Sequence, residues 1–293
     1  MKFTGITYRP PPEANTLLLQ VTAGCAHNNC TYCSMYTDVK FKVEKLEQIE
    51  KDLQEAQKLY KSETRIFLVN GDAFVLSAKK LRKISDLILK YFPMMETITM
   101  YSSIRNIMTK TDEELKDLRD NYRINDLWVG VETGDADVLK SFNKGYTMDD
   151  TYTQLKRLKT AGFDYNCKLM LGTGGRGKGI EVAQKTAELI NKTKPKMVRE
   201  TTLGFFDGTQ LQEDVKNGKF LPATELEILE EQKKLIELIN VEDTHFASNH
   251  YINAVSVNGF LPIQKENMLN SINSFINNAD TSFLNSVAAR QSL

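Results

Sequence analysis

Six times in succession a short apolar run is followed by a helical periodicity. That alternation limits the folds open to this chain more than any single motif does. The apolar runs fall at 17–22, 65–69, 97–100, 126–131, 165–171 and 197–202, and the helical periods at 43–60, 78–91, 112–121, 148–161, 180–192 and 223–238. Consecutive βα units build a parallel sheet with helices outside it. Eight units would close a full barrel, so six predict an α/β fold with an incomplete parallel (β/α)6 barrel, open on one side. An open doubly wound sheet is the competing topology. Thr111 and Glu114 have capping-box spacing at the start of the third helix, Thr147 suits the cap of the fourth, and Gly162 suits its stop.

Past residue 241 the alternation breaks, the stretch from His245 to His250 has no clear period, and a last helix is expected near 265–276. The expected organisation is a core over 1–241 and a C-terminal extension over 242–293 packed on that core. The small, polar residues of 280–293 are expected to fray.

Composition narrows the function classes. The 38 basic and 38 acidic residues balance, and a nucleic-acid binder usually carries a basic excess, so a nucleic-acid partner is disfavoured. No stretch approaches the ~20 apolar residues that span a bilayer. The first residues contain no signal-peptide apolar core, and a cytoplasmic location is expected. In a reducing compartment, clustered thiols are metal ligands rather than disulfides.

Such a cluster is present. Cys25, Cys30 and Cys33 follow the first apolar run with C-x4-C-x2-C spacing, and the fourth cysteine, Cys167, stands alone. Three thiolates can hold three irons of a [4Fe–4S] cluster and leave the fourth iron open for chemistry. A structural zinc site would need His27 or Cys167 as its fourth ligand. A plant-type ferredoxin shares the spacing and would need a distant fourth cysteine, but it has no use for six βα units. Cys167 lies in an expected core strand and reads as a small buried residue.

Ligands of parallel barrels sit at the C-terminal ends of the strands. The unusual residues of this chain gather in those loops: Asn70, Gly71 and Asp72 after the second strand, Ser102, Ser103 and Arg105 after the third, Glu132 after the fourth, and Gly172, Gly174 and Gly175 after the fifth. Glu132 could instead be a strand-end carboxylate paired with a lysine or arginine, and Gly71 with Asp72 could be a plain turn. Gly172, Gly177 and Lys178 have the context of a phosphate-binding loop, but Gly179 follows where a Ser or Thr would hold Mg²⁺, so the segment reads as a strand–helix turn. His245 and His250, five apart, share no helix face.

With Tyr32 directly before the last cysteine of the loop and the βα repeat around it, the chain resembles the radical S-adenosylmethionine (SAM) superfamily. Residues 8–36, 127–145 and 246–262 further resemble a subgroup labelled as relatives of the oxygen-independent coproporphyrinogen oxidase. The loop departs from the superfamily's commonest C-x3-C-x2-C spacing by one residue.

The resemblance implies a [4Fe–4S] cluster and SAM as cofactors. Cys25, Cys30 and Cys33 would ligate three irons, and the amino and carboxylate groups of SAM would chelate the fourth. Reduction would cleave SAM and release a 5′-deoxyadenosyl radical, which abstracts hydrogen from a small or medium organic substrate. Asn70, Gly71 and Asp72 take the place of the family's Gly-Gly-Glu motif. Glu132 is an acceptor suited to the ribose hydroxyls. Tyr32 offers a flat neighbour for adenine, and Gly172 and Gly174 offer backbone groups to the adenine edge. Ser102 could reach the SAM carboxylate or the substrate. A low-potential electron donor, a flavodoxin or ferredoxin, is implied. Substrate contacts would come from Arg199, His245, Asn249 and His250. The alternative function is an Fe–S electron carrier or sensor that cleaves no SAM.

Overall fold

The computed structural model describes Met1 and residues 3–290, so residues 291–293 of the expected extension lie outside the described residues. The strands are β1 (Leu17–Gln20), β2 (Thr22–Ala23), β3 (Lys42–Val43), β4 (Arg65–Val69), β5 (Thr97–Ser102), β6 (Ile124–Glu132), β7 (Asp164–Leu171), β8 (Met197–Thr202), β9 (Thr244–Ser248) and β10 (Val257–Leu261). The helices are α1 (Leu46–Leu59), α2 (Ala78–Tyr91), α3 (Ile104–Met108), α4 (Asp112–Tyr122), α5 (Ala136–Ser141), α6 (Met148–Thr160), α7 (Gly179–Thr193), α8 (Gln210–Lys216), α9 (Glu225–Leu238), α10 (Lys265–Asn278) and α11 (Thr281–Asn285).

Eight strands form a sheet in the order β1-β4-β5-β6-β7-β8-β9-β10, while β2 and β3 make a separate ribbon. β1 pairs parallel to β4, β4 to β5, β5 to β6, β7 to β8 and β8 to β9; β10 runs antiparallel to β9. The expected six strands are therefore β1 and β4–β8, and the mostly parallel α/β sheet is that of a partial barrel. β9 and β10 lie where an irregular tail was expected. The inward positions of β9 mix polar with apolar residues: Thr244 and Ser248 are buried beside Phe246, so the apolar alternation that marks a strand is diluted there. Hydrogen bonds stand in for apolar contact, with the Thr244 hydroxyl on the Pro195 carbonyl at 2.7 Å.

The chain divides into two compact units. The first comprises Met1–Asn28, Met35–Gly130 and Thr153–Tyr165, and the second Asn29–Ser34, Val131–Tyr152 and Asn166–Leu293.

In the first unit, Ile66, Phe67, Leu68 and Val69 are all fully buried, which accounts for the unbroken apolar run of β4. α2 covers the strands with Leu81, Ile84 and Ile88, one stripe of its surface, and begins at a Ser77 cap whose hydroxyl accepts from the Lys80 amide at 3.3 Å. The capping box of α4 is formed, Thr111 and Glu114 bonding each other's amides at 3.1 Å. Gly162, at φ +85°, follows the end of α6. A polar knot lies before the strands: the Arg65 guanidinium donates to Glu13 at 2.6 and 3.0 Å and to Asp126 at 2.7 Å, and the Trp128 indole donates to Glu13 at 3.0 Å.

In the second unit, α7 packs on α9. Two acids are buried in this layer. Glu200 of β8 accepts from Gln232 of α9 at 3.0 Å and Glu231 of α9 accepts from the Gly172 amide at 2.9 Å. Burial pushes the Glu200 carboxyl up to about 7, against the hydrogen bonds of Gln232 and Ser248. Burial, with Glu200 and Glu227 adding to it, pushes Glu231 the same way. The raised value means that the folded chain holds the Glu200 proton more tightly than the unfolded chain. Stability is therefore fully present below the unfolded value of 4.5 and is lost as pH rises to about 7. Glu200→Gln removes this loss. The stability of the variant relative to the parent is expected to rise by about 3 kcal/mol between pH 4 and pH 8. Urea unfolding at the two pH values measures it, and a pH-independent difference would contradict the buried neutral acid.

Candidate functional site

In the first unit the cysteine loop starts where two backbone segments touch. Gly24, directly before Cys25, has φ +73°, and a Cβ there would lie 2.5 Å from the Val39 carbonyl oxygen. Gly71 has φ +111°, and a Cβ on it would lie 1.8 Å from the Gly24 carbonyl oxygen. No side chain fits at either position. At Gly71 the place a side chain would take is filled by the backbone that precedes Cys25.

Gly71→Ala is accordingly expected to displace the cysteine loop and to lower the iron bound after anaerobic reconstitution by half or more. Gly177→Ala is the control: it has φ +75° but open space around it, so it carries only the conformational cost of about 1 kcal/mol. Equal iron contents in the two variants would contradict the close approach.

Asp72 is oriented by the loop after β5. Its Oδ1 accepts from Asn106 Nδ2 at 2.6 Å, and Asn106 Oδ1 accepts from the Ser103 amide at 3.1 Å. Lys110 braces that loop from below through the carbonyls of Phe74 (2.7 Å) and Asn106 (3.2 Å). Burial lowers the Lys110 ammonium to about 8, against the pull of Asp72 and Glu114. Ser102 is nearly buried, its hydroxyl on the Ser103 carbonyl at 3.2 Å, and Arg105 pairs with His27.

In the second unit the rest of the loop is tied down by its neighbours. The Cys33 amide donates to the Cys30 carbonyl at 3.2 Å, and the Thr31 amide to the Phe142 carbonyl at 3.2 Å. Asn143 Nδ2 donates to the Asn29 carbonyl at 2.9 Å. The Tyr32 ring lies against Phe142 with centroids 4.7 Å apart.

Glu132 ends β6 at φ +70°, a left-handed conformation that only a well-supported non-glycine residue keeps. Its support is Lys144, whose Nζ donates to Oε1 at 2.9 Å; the two residues are 9% and 7% exposed. The strand-end carboxylate therefore has the lysine partner that was the alternative reading of its sequence position. Lys144 Nζ also lies 3.4 Å from the Tyr32 hydroxyl and about 6 Å from the ring centres of Tyr32 and Tyr146. Burial works against the Lys144 charge, but Glu132, then Tyr146, Tyr32 and Cys30, hold its pKa well above the ordinary value. Burial and Glu132 together push the Tyr32 phenol up. Lys168 of β7 belongs to the same neighbourhood: burial lowers its pKa, helped by Arg199 and Lys144 and opposed by Glu132 and Cys33.

The structure thus brings Cys30, Tyr32, Cys33 and Glu132 together in this unit. Sequence reading missed Lys144, Tyr146 and Lys168. Two signals were available: Lys144 sits between Asn143 and Gly145, which both take positive φ, and Lys168 is a lone charge in an apolar strand.

Gly172 and Gly174 have other neighbours. A Cβ on Gly172 would lie 2.6 Å from Ile228 and one on Gly174 2.8 Å from Val182. The Gly172 and Gly177 amides are taken by Glu231 and Glu227 at 2.9 and 2.8 Å. Carboxylates of α9 thus occupy donors that a phosphate-binding loop would aim at its nucleotide.

None of the four cysteines is in a disulfide; Cys25, Cys30 and Cys33 are partly exposed and Cys167 is buried. Burial, followed by Glu132, pushes the Cys167 thiol up, so it keeps its proton and is a poor metal ligand. Among the described residues no group of three or more His, Cys, Asp or Glu side chains is drawn together as a metal site. The fit to an iron–sulfur cluster therefore rests on donor chemistry: three accessible thiols of one loop, and a fourth cysteine that is unsuitable.

The sequence pattern of the Radical SAM superfamily matches residues 19–190, more than half of the chain and all three clustered cysteines. The chain belongs to the radical SAM superfamily. That family uses a [4Fe–4S] cluster and SAM. A comparison with curated protein sequences finds no match. Solved structures with a similar fold include methylornithine synthase (15% identity, TM-score 0.56), which covers 93% of this chain, with 74% of its own length covered. The radical S-adenosylmethionine methyltransferase TsrM from Kitasatospora setae, solved with cobalamin and a [4Fe–4S] cluster bound, is 16% identical with a TM-score of 0.55 over 69% of this chain and 39% of its own. The FeFe-hydrogenase maturase HydG from Carboxydothermus hydrogenoformans is 16% identical with a TM-score of 0.52 over 88% of this chain and 56% of its own. The chain spans roughly three quarters of the first and about half or less of the other two, and at these identities the likeness is one of fold. Among the described residues no helix is long and apolar enough to cross a membrane.

Proposed function

We propose that this chain is a cytoplasmic radical SAM enzyme that abstracts hydrogen from a small or medium organic substrate. The observation that carries the reading is the loop with three accessible thiols inside the region matched to the family. Cys25, Cys30 and Cys33 would hold a [4Fe–4S] cluster, which with SAM supplies reductive cleavage of the sulfonium. The electron would come from a low-potential donor of the flavodoxin or ferredoxin kind.

The chain's own residues have definable tasks. Gly24 and Gly71 hold the start of the cysteine loop. Asp72, Ser102, Glu132 and Tyr32 are the proposed SAM contacts. Asn106 orients Asp72, and Lys144 fixes Glu132 by its 2.9 Å hydrogen bond, which suits the carboxylate to accept hydroxyl hydrogen bonds. Gly172 and Gly174 hold the turn after β7. We infer membership of the coproporphyrinogen oxidase-like subgroup from the likeness of residues 8–36, 127–145 and 246–262. We read 1–241 as the cofactor core and 242–293 as an extension that contributes substrate contacts.

The test is anaerobic reconstitution with iron and sulfide, reduction with dithionite and an assay for 5′-deoxyadenosine after adding SAM. Formation of 5′-deoxyadenosine supports the reading. A reconstituted cluster that leaves SAM intact would support an electron carrier or sensor instead.

A further inference from the structure

Residues 286–290, part of the stretch expected to fray, are tied down within the second unit. The Ala288 amide donates to the Ala223 carbonyl and the Glu225 amide to the Ser286 carbonyl, both at 3.0 Å, and Val287 bridges Thr224 antiparallel. Ala288 is buried with Leu171, Ala223 and Ile228. Arg290 then joins three elements. Its guanidinium forks onto Glu225, the first residue of α9, with Nη1 on Oε1 and Nη2 on Oε2 at 2.8 Å, and its Nε donates to the Ile252 carbonyl. Its own carbonyl accepts from the Phe205 amide at 2.7 Å. The side chains of Arg290 and Glu225 are 17% and 3% exposed, so this is a fixed bidentate pair rather than a loose surface bridge.

The partners of Arg290 sit where a barrel places its ligand. Phe205 follows β8, and Ile252 follows β9, which runs parallel to β8, so both loops leave the C-terminal ends of their strands. Asn253 ties the second loop back to β8: its Oδ1 accepts from the Thr202 amide at 2.8 Å, and its Nδ2 donates to the Glu200 and Ser248 carbonyls, both at 3.1 Å. Phe205 carries the restraint onward. It is buried with Phe142, Leu203 and Leu211, and Tyr32 packs against the same group. Leu211, in the first turn of α8, donates its amide to the Thr31 carbonyl at 2.9 Å. Thr31 and Tyr32 are the two residues between Cys30 and Cys33. Arg290 therefore reaches the cysteine loop through one backbone hydrogen bond, one apolar cluster and one further hydrogen bond, all in the second unit.

We propose that Arg290 is a positioning residue for SAM: it clamps the loops after β8 and β9 to α9 and thereby fixes the Thr31–Tyr32 segment that SAM binds against. One side chain makes both the Glu225 and Ile252 contacts, so a single substitution releases the clamp. Alanine leaves Glu225 buried without its cation. Lysine keeps the charge and loses the planar fork, so it restores the clamp only in part. Naming SAM rests on the proposed radical SAM function, whereas the clamp is set by Arg290 and its partners alone.

The test titrates SAM into the full chain, reconstituted anaerobically and reduced, and follows the SAM-dependent shift of the EPR signal. Arg290→Ala is expected to raise the SAM concentration at half-shift by roughly tenfold with the iron content unchanged, and Arg290→Lys to fall between it and the parent. Glu13→Ala controls for general destabilisation: it weakens the polar knot of the first unit and should leave the half-shift point at the parent's value. The second readout needs no cofactor. Amide hydrogen exchange of the unreconstituted chain should rise over 203–216 and 29–34 in both Arg290 variants, and not over 65–69. If Arg290→Ala does not fold, Arg290→Lys carries both readouts. Three results would overturn the proposal: half-shift points within about twofold of the parent in the Arg290 variants, an equal displacement in Glu13→Ala, or unchanged exchange over 29–34. Failure of the radical SAM reading looks different, because the parent itself would then show no shift with SAM, and exchange over 29–34 would decide the clamp alone.

Discussion

Alanine at Cys25, Cys30 or Cys33 is expected to cut the iron retained after reconstitution from about four atoms per chain to below about one. It is also expected to reduce 5′-deoxyadenosine formation to background. Each of these thiols is partly exposed and lies in a loop whose ends are fixed by backbone contacts, so alanine removes a ligand without removing packing. Cys167→Ala should leave both measurements unchanged. Its thiol is fully buried in β7 and holds its proton, so it is packing rather than ligation, and the expected cost is of the order of 1 kcal/mol of stability. Colorimetric iron and chromatographic 5′-deoxyadenosine on the four variants check this together. Retention of the cluster in any of the three loop variants would contradict the ligand assignment.

The largest loss of stability is expected from Glu13→Ala. Glu13 is 1% exposed and accepts hydrogen bonds from Arg65 (2.6 and 3.0 Å), Thr16 (2.7 Å) and Trp128 (3.0 Å). Burial raises its pKa, but Arg65, Thr16 and Trp128 together bring it below the ordinary value. Alanine leaves the Trp128 indole N–H buried without its acceptor and leaves Arg65 with Asp126 alone. Arg65 is 33% exposed, which softens the charge imbalance, so the expected cost is about 3 kcal/mol rather than the upper end for a broken buried pair. The carboxyl is depressed, so its contribution is present above 4.5 and is lost as pH falls. Urea unfolding of Glu13→Ala and parent should therefore differ most near neutrality and converge in acid. A difference below about 1 kcal/mol at pH 7 would show that the knot contributes little.

Much of the architecture was legible because periodicity and burial coincide in it. β4 and β8 fall where the apolar runs put them, and α2 spans the expected residues, since every buried position there is occupied by an apolar side chain or a paired polar one. β9 escaped notice because its buried face is Thr244, Phe246 and Ser248, held by hydroxyl hydrogen bonds that no apolar pattern announces. The cysteine loop was readable from spacing alone. Its mechanical partner was not: nothing in Asn70, Gly71 and Asp72 says that Gly71 touches Gly24, because that contact is made between residues distant in sequence. Lys144 escaped for a related reason. A lysine between two turn residues normally points to water, and only the fold turns it onto Glu132.

On the proposed reading, three thiolate ligands leave one iron of the cluster open for SAM. The most direct measurement is the EPR spectrum of the dithionite-reduced, reconstituted chain with and without SAM, recorded for the parent and for Cys167→Ala. The expected result is a shift of the signal on SAM addition, identical in both proteins. Spectra that SAM leaves unchanged, or loss of the cluster in Cys167→Ala, would contradict it and mark a fully ligated electron-transfer centre.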